Sequence, residues 1–460
     1  MQPVPLVLLL LVLSSLAFYL GRRRSLLVAN GGIRVLHSLP DYYGYYVALW
    51  CSIPPLLLLT AWLAFEPAII TKLVVAELPR EMRESEQRLS LVVNDITNIV
   101  KGDEVGGQDV DPSIQAAAER YRHLQGLSGT SLALLALVFA IGSGTYALRN
   151  IRPELRARNR VEGVIRFFLI ASSTIAIFTT IGIVLSVLVE AIRFFQKIPI
   201  TDFIFGLKWS PQIAMRADQV GGSGAFGAVP LFTGTLLISG IALLVAVPIG
   251  LMSAIFLSEY ASRHIRTIAK PVIEVLAGIP TVVYGFFAAL VVAPLIRDSG
   301  VAFGVNISSE SALAAGMVMG IMIIPFVSSL ADDVINAVPQ ALRDGSYGIG
   351  ATKSETIRQV VIPAALPGIV GGILLAASRA IGETMIVVMA AGLTANLTAN
   401  PFEAVTTVTV QIVTLLVGDQ EFDSPKTLAA FALGLVLFLA TLGLNIIALH
   451  IVRKYREQYE

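Results

Sequence analysis

Apolar residues run for about twenty positions at a time along this chain, the length a helix needs to cross roughly 30 Å of hydrocarbon. Such runs occur at Val4–Leu20, Tyr46–Phe65, Thr130–Leu148, Ile165–Phe194, Leu231–Phe256, Val272–Leu295, Ala312–Leu330, Leu366–Gly392 and Leu428–Val452, which predicts nine spanning helices. Prolines within them (Pro54, Pro55, Pro248, Pro280, Pro325) fit where neighbouring helices cover the freed carbonyls. The expected fold class is all-α and polytopic. A six-span core at residues 151–460 follows a three-span extension at residues 1–150.

The polar positions between the runs give sidedness. The first run has no basic residue before it, and Arg22, Arg23 and Arg24 directly after it, so it reads as an anchor with its N-terminus outside rather than a cleaved signal. Arg149, Arg152, Arg156, Arg158 and Arg160 then crowd one short link, and Arg263, His264, Arg266 and Lys270 another. Arg343, Lys353 and Arg358 follow the seventh span, and Arg453, Lys454 and Arg456 the ninth. Cytoplasmic loops carry excess Lys and Arg, so these links face the cytoplasm and the spans alternate consistently.

The link between the second and third spans, about residues 66–128, belongs outside. Leu78, Met82, Leu89, Val92 and Val93 recur there at helical spacing among charges, ahead of a Gly/Asp-rich break at Gly102–Asp111. It reads either as a small external helical module or as a solvated spacer.

Composition agrees with membrane residence. The chain has 460 residues, 55% hydrophobic and only 14% charged, against about 25% charged in an ordinary soluble domain. Its net charge of +1 draws it to no nucleic acid. The lone cysteine, Cys51, and four scattered histidines build neither a disulfide framework nor a metal site, and no cofactor is expected. Gly222 to Gly227 matches GxGxxG, yet it lies on the external side with no βαβ unit around it, and is expected to be a flexible loop. No GxxxxGK[ST] occurs, so ATP hydrolysis is not expected of this chain itself.

The cytoplasmic link from Val338 to Gly372 reads VPQALRDGSYGIGATKSETIRQVVIPAALPGIVGG. Asp344-Gly345-Ser346, Gly350 and Val360-Val361-Ile362-Pro363 fall at the spacing of the EAA loop, and the segment (about 338–367) resembles that loop of ABC importer permeases. The triplet departs from the acidic-small-small pattern at Gly345, which costs a helix interior about 1 kcal/mol relative to Ala. Two helices around a glycine turn are expected, with Pro339 before the first and Pro363 after the second stopping each. The resemblance implies a lever seated in an ATPase subunit, with Asp344, Gly345, Ser346, Gly350 and Pro363 as its coupling residues.

SRAIGETMIV (Ser378–Val387), GIPTVVYGFF (Gly278–Phe287) and FGAVPLFTGTL (Phe226–Leu236) resemble the C-type permease of the phosphate-specific ABC importers over residues 165–460. Met385-Ile386 replaces the alanine-proline pair typical of the A-type sister. The resemblance implies an A-type permease partner, a dimer of ATP-binding subunits, a periplasmic phosphate-binding protein, inorganic phosphate as cargo, and a bacterial inner-membrane location among lipid. It also implies that Arg379, Glu383 and Thr384 lie on the substrate path.

From the residues alone, Arg379 and Glu383 sit at i,i+4 near the middle of a hydrophobic helix, where each isolated charge costs about 2.5 to 3.5 kcal/mol. They must face protein or water, and one turn apart they can pair. The pair is open to two readings: an oxyanion-contacting arginine moderated by its glutamate, or an ion pair locking the helix to a neighbour. Tyr284 either lines the path with its hydroxyl or is packed. Other functions remain open: a permease for sulfate or molybdate, or a membrane scaffold whose external module senses or signals.

Overall fold

A computed structural model describes residues 3–29, 32–79, 86–101, 111–213, 223–305, 307–417 and 423–456. Nine helices among the described residues are long and apolar enough to span a membrane. They answer the nine predicted runs, with two displaced: the sixth is Thr281–Ala302 rather than Val272–Leu295, and the eighth is Lys353–Ile381 rather than Leu366–Gly392. The chain packs as two compact units, Met1–Phe178 and Thr179–Glu460, whose boundary falls inside one continuous helix.

The first unit is built on α1 (Pro3–Val28), α2 (Pro40–Glu77), α3 (Glu86–Lys101) and α4 (Pro112–Arg149), and takes in the start of α5 (Ala157–Lys197). Tyr43, Val47, Cys51, Ala136 and Ala140 form its core, where small side chains let α4 approach α2. The Tyr43 hydroxyl donates to the carbonyls of Pro153 (3.2 Å) and Leu155 (3.0 Å), tying the arginine-rich link to α2. At 38 residues each, α2 and α4 reach about 57 Å at 1.5 Å per residue, well past the hydrocarbon. Their projecting ends bury Ile70, Val74, Leu78, Ala117 and Ala118 against Leu89, Val92 and Ile96 of α3. The link between the second and third spans is therefore helical and packed over α3, because a 16-residue amphipathic helix finds two neighbours to cover its apolar face. Met82 and the Gly/Asp-rich stretch 102–110 lie outside the described residues.

The second unit continues with α6 (Ile200–Phe205), β1 (Trp209–Ile213), β2 (Ser223–Phe226) and α7 (Val229–Ile255), which ends in a π-helical turn, Phe256–Tyr260. Next come α8 (Arg263–Gly278), α9 (Thr281–Phe287), α10 (Ala293–Ala302) and α11 (Ala312–Ala337). The remaining helices are α12 (Gln340–Gly348), α13 (Lys353–Thr356), α14 (Ile362–Ile381), α15 (Met385–Ala390), α16 (Val408–Leu416) and α17 (Pro425–Arg456).

The stretch expected to be a loop around Gly224 is instead strand β2, which pairs antiparallel with β1, Trp209 opposite Phe226. It buries Trp209 and Phe226 against Phe194 and Phe203. An antiparallel hairpin carries no crossover helix, so the dinucleotide reading stays rejected.

At the centre of the unit α11 packs on α7 through glycines. A Cβ at Gly316 would lie 2.7 Å from Ile241 Cβ, and one at Gly320 2.8 Å from Val245 Cβ. Gly368 of α14 meets Val334 of α11 in the same way, at 2.4 Å. The pairs Gly316–Gly320 and Gly368–Gly372, each four residues apart, are thus seams within the chain, where bare backbone allows dispersion contacts that no hydrophobic effect supplies between helices in lipid.

Candidate functional site

Pro339 precedes α12 with φ −56° and ψ 136°, so the chain leaves α11 at Val338 and re-enters a helix at once. Its fixed φ and missing N–H suit the start of a helix, where that donor has no partner anyway. At the other end Gly350 takes φ +91°, a left-handed conformation that glycine alone adopts without strain, which ends α12 and reverses the chain. Thr352 then caps α13, with Glu355 completing a reciprocal capping box. The helix–glycine–helix expectation is met up to this point.

Pro363 departs from it. It stops nothing: α13 runs through a π-helical turn at Ile357–Val361 directly into α14. Proline removes one ladder hydrogen bond and clashes with the carbonyl four residues back, and a π turn just ahead of it shifts that carbonyl out of the way. The second arm of the loop is therefore continuous with the eighth span.

Asp344 and Gly345 lie on the exposed face of α12, and no atom lies within 4 Å of the place a Cβ would take at Gly345 or Gly348. Gln340 donates to the Asp344 carboxylate at 3.0 Å. Leu342 and Tyr347 (41% exposed each) and Ile349 (88%) flank this bare strip. Ser346 does not belong to that face. It is buried, with its hydroxyl 2.9 Å from that of Thr356, and pins the two arms of the loop together.

The eighth span breaks where one helix over Leu366–Gly392 was expected. Helix α14 stops at Ile381, Gly382 to Thr384 cross a gap, and α15 begins at Met385. Arg379 and Glu383 are therefore not one helical turn apart, and no ion pair joins them. The Glu383 carboxylate accepts instead from the Met385 backbone N–H at 3.0 Å, satisfying a donor that the start of α15 leaves free. The Glu383 carbonyl in turn accepts from the Thr409 hydroxyl at 2.8 Å. Arg379 remains exposed, its guanidinium over the Phe326 ring with 5.6 Å to the centroid. Among the described residues it has no acidic partner. Thr384 sits in the gap itself, half-buried, without capping α15.

Tyr284 is buried in the core of the unit, and its hydroxyl donates to the Leu276 carbonyl at 2.8 Å. That bond bridges the break between α8 and α9 at Ile279–Pro280. Next to it, Gly285 leaves room for Met389 of α15, whose sulfur would lie 2.5 Å from an added Cβ. Helix α9 thus packs on α15, which brings Tyr284 to the helix after the gap.

A family profile described as a phosphate ATP-binding cassette transporter matches residues 7–179. Another, described as a binding-protein-dependent transport system inner membrane component, matches residues 246–457. The phosphate transport system permease protein PstC of Mesorhizobium japonicum is 35% identical over 252 residues, which is 50% of this chain and 74% of that protein. The chain belongs to the PstC family of ABC transporter permeases. A probable ABC transporter permease of Bacillus subtilis, YqgH, is 34% identical over 284 residues, covering 62% of this chain and 86% of its own length. The probable PstC of Methanocaldococcus jannaschii is 28% identical over 286 residues, 60% of this chain and 90% of that protein. A solved bacterial ABC transporter involved in the import of alginate aligns at TM-score 0.43 and 14% identity, over 64% of this chain and 99% of that one.

Three features of this PstC-family permease escaped the sequence reading. Arg343, read only as a cytoplasmic marker, pairs with Glu259 of the π-helical turn after α7 and donates to the Ile335 carbonyl at 2.8 Å. With only 13% and 7% of these side chains exposed, α12 is bolted to the end of α7 by a largely desolvated pair. Asp332 of α11, 3% exposed, accepts from Arg266 at 3.0 and 3.1 Å, from Lys270 at 2.8 Å and from Asn336 at 2.9 Å. This hydrogen bond to Asp332, opposed by burial, holds the Lys270 ammonium above its ordinary pKa.

The third feature is a polar seam beside the gap. Gln411 accepts from the Trp209 indole at 3.0 Å and donates to the Leu393 carbonyl at 3.0 Å, while the Thr235 hydroxyl accepts from the Val408 N–H at 3.1 Å. These side chains satisfy the non-helical backbone between α15 and α16, which hydrocarbon would not tolerate bare. Sequence spacing could not find any of the three, since the pairs that define them, Asp332 with Arg266, Arg343 with Glu259 and Gln411 with Trp209, are 66 to 202 positions apart. An acidic residue near a span's end, such as Asp332 or Glu259, was the one available signal.

Proposed function

We propose that this chain is the C-type permease subunit of an ATP-driven phosphate importer and supplies half of the translocation pathway. An A-type permease would supply the other half, a dimer of ATP-binding subunits would drive it from the cytoplasm, and a periplasmic phosphate-binding protein would load it. The observation carrying this reading is α12, an exposed cytoplasmic helix with a bare glycine strip, bolted through Arg343 to α7 and through α13 to the eighth span. Such a lever passes closure of an ATPase pair to two spans at once. Asp344, Gly345 and Gly350 are its contact and turn residues, while Ser346 and Pro363 act within the lever.

Phosphate as cargo is supported by the PstC relatives and by charge. Arg379 offers guanidinium donors, with no acidic partner among the described residues, to a passing oxyanion beside the gap. Glu383 and Thr384 shape that gap, and Tyr284 supports it from behind. Arg379→Gln, in cells carrying the complete importer, is expected to abolish phosphate uptake at normal protein level. Undiminished uptake removes Arg379 from the pathway. Competition by sulfate and molybdate decides between phosphate and the other oxyanions, since a sulfate or molybdate permease would lose phosphate uptake to either. A sensing scaffold predicts no uptake at all, and deleting residues 1–150 tests whether the extension is needed for transport.

A further inference from the structure

Between α2 and the start of α5, wholly within the first unit, lies a cavity of about 600 Å³. Leu49, Trp50, Ile53, Leu57, Val164 and Phe167 line it, and its walls are almost entirely apolar. Asn159, Arg160 and Tyr46 close one end. From Tyr46 to Leu57 the α2 wall rises 11 residues, about 16 Å at 1.5 Å per residue, which is one leaflet of a roughly 30 Å hydrocarbon core. Arg160 marks the cytoplasmic end, where Arg149, Arg152, Arg156 and Arg158 also cluster. The Arg160 guanidinium donates to the Tyr46 hydroxyl at 3.1 Å and lies 5.6 Å from the centre of that ring, which fixes it at the mouth. One bond leaves most of its five N–H donors for another acceptor.

We propose that this groove binds one anionic phospholipid of the cytoplasmic leaflet, with an acyl chain between α2 and α5 and the phosphodiester on Arg160 and Asn159. An apolar cleft of leaflet depth with a cation at headgroup level matches the two halves of such a lipid. The packing of this stretch supports the assignment. The apolar residues Phe167, Phe168 and Leu57 are 67%, 51% and 64% exposed beside the cleft. A bulk lipid without a negative headgroup would leave the guanidinium without the partner its position invites. The extension would in this way hold the transporter to a lipid of defined charge.

The test uses the full chain purified in mild detergent, stripped of lipid, and offered phosphatidylglycerol or phosphatidylcholine, with retained lipid counted by native mass spectrometry. Phosphatidylglycerol is expected to be retained about tenfold better, the worth of one charge-assisted contact of roughly 1.4 kcal/mol. Arg160→Gln should remove that preference and Arg160→Lys should keep most of it. Gly163→Trp should displace both lipids without disturbing the fold, since a Cβ at Gly163 meets nothing within 4 Å. Equal retention of the two lipids by the native chain overturns the proposal, as does a preference that survives Arg160→Gln. Displacement of phosphatidylglycerol by excess inorganic phosphate would reassign Arg160 to the free anion. A Phe167→Cys crosslink in membranes to another polypeptide would make the groove a protein interface and overturn it too.

Discussion

Removing the Arg343 guanidinium strands the Glu259 carboxylate at 7% exposure and takes a donor from the Ile335 carbonyl. Breaking a buried pair from one side costs about 3 to 5 kcal/mol, chiefly because the remaining charge has lost both water and partner. Arg343 is 13% exposed, and some water reaches the site. Arg343→Gln is therefore expected near the low end, about 3 kcal/mol. Glu259→Gln should cost less, because the guanidinium keeps the Ile335 carbonyl and its path to water. In the double variant no charge is left buried, so its cost should fall short of the summed single costs by about 2 kcal/mol. Unfolding of the purified chain in a denaturing-detergent titration reads these values. Uptake by the assembled importer reads the coupling: Arg343→Gln should hydrolyse ATP with little phosphate moved. Additive single and double variants, within about 0.5 kcal/mol, would show that the pair is not a bolt and refute the reasoning.

Gly345→Trp should leave the stability of the chain intact, because nothing lies within 4 Å of that Cβ. It should abolish co-purification with the ATP-binding subunits, which affinity pull-down measures. Gly350→Val forces a branched residue into φ +91°, and is expected to cost more than 1 kcal/mol and to lower uptake. Gly234→Ala would place a Cβ 2.2 Å from the Thr406 carbonyl oxygen, a backbone atom that cannot rotate away. Protein yield should fall sharply, whereas Gly240→Ala, which meets nothing, should be neutral. The Lys270–Asp332 bond raises the lysine above its ordinary pKa. Its contribution is thus fully present below the unfolded lysine value of about 10.4, and is lost as pH rises through the higher folded value. Stability against pH should show that loss only in strong alkali, and Asp332→Asn should erase it.

The apolar runs by themselves determined nine helices long and apolar enough to span a membrane, and the arginine clusters carry the expectation of which links face the cytoplasm. Both are local quantities, set by transfer energies that each segment carries alone. The helix–glycine–helix course of residues 338–367 was legible for the same reason, since Pro339 and Gly350 act within a few residues of themselves. What failed was each inference that assumed regular continuation. A run from Leu366 to Gly392 is as apolar as one helix, yet Glu383 finds a better acceptor role at the start of α15 than beside Arg379, and Thr409 holds the gap open from another element. Pro363 carries a helix-stopping signal that the π turn ahead of it cancels. Arg343, Glu259, Asp332 and Gln411 gain their meaning only from partners brought close by packing across the unit. Hydropathy ranks a residue by what it costs to bury, and only the tertiary structure decides which neighbour repays that cost.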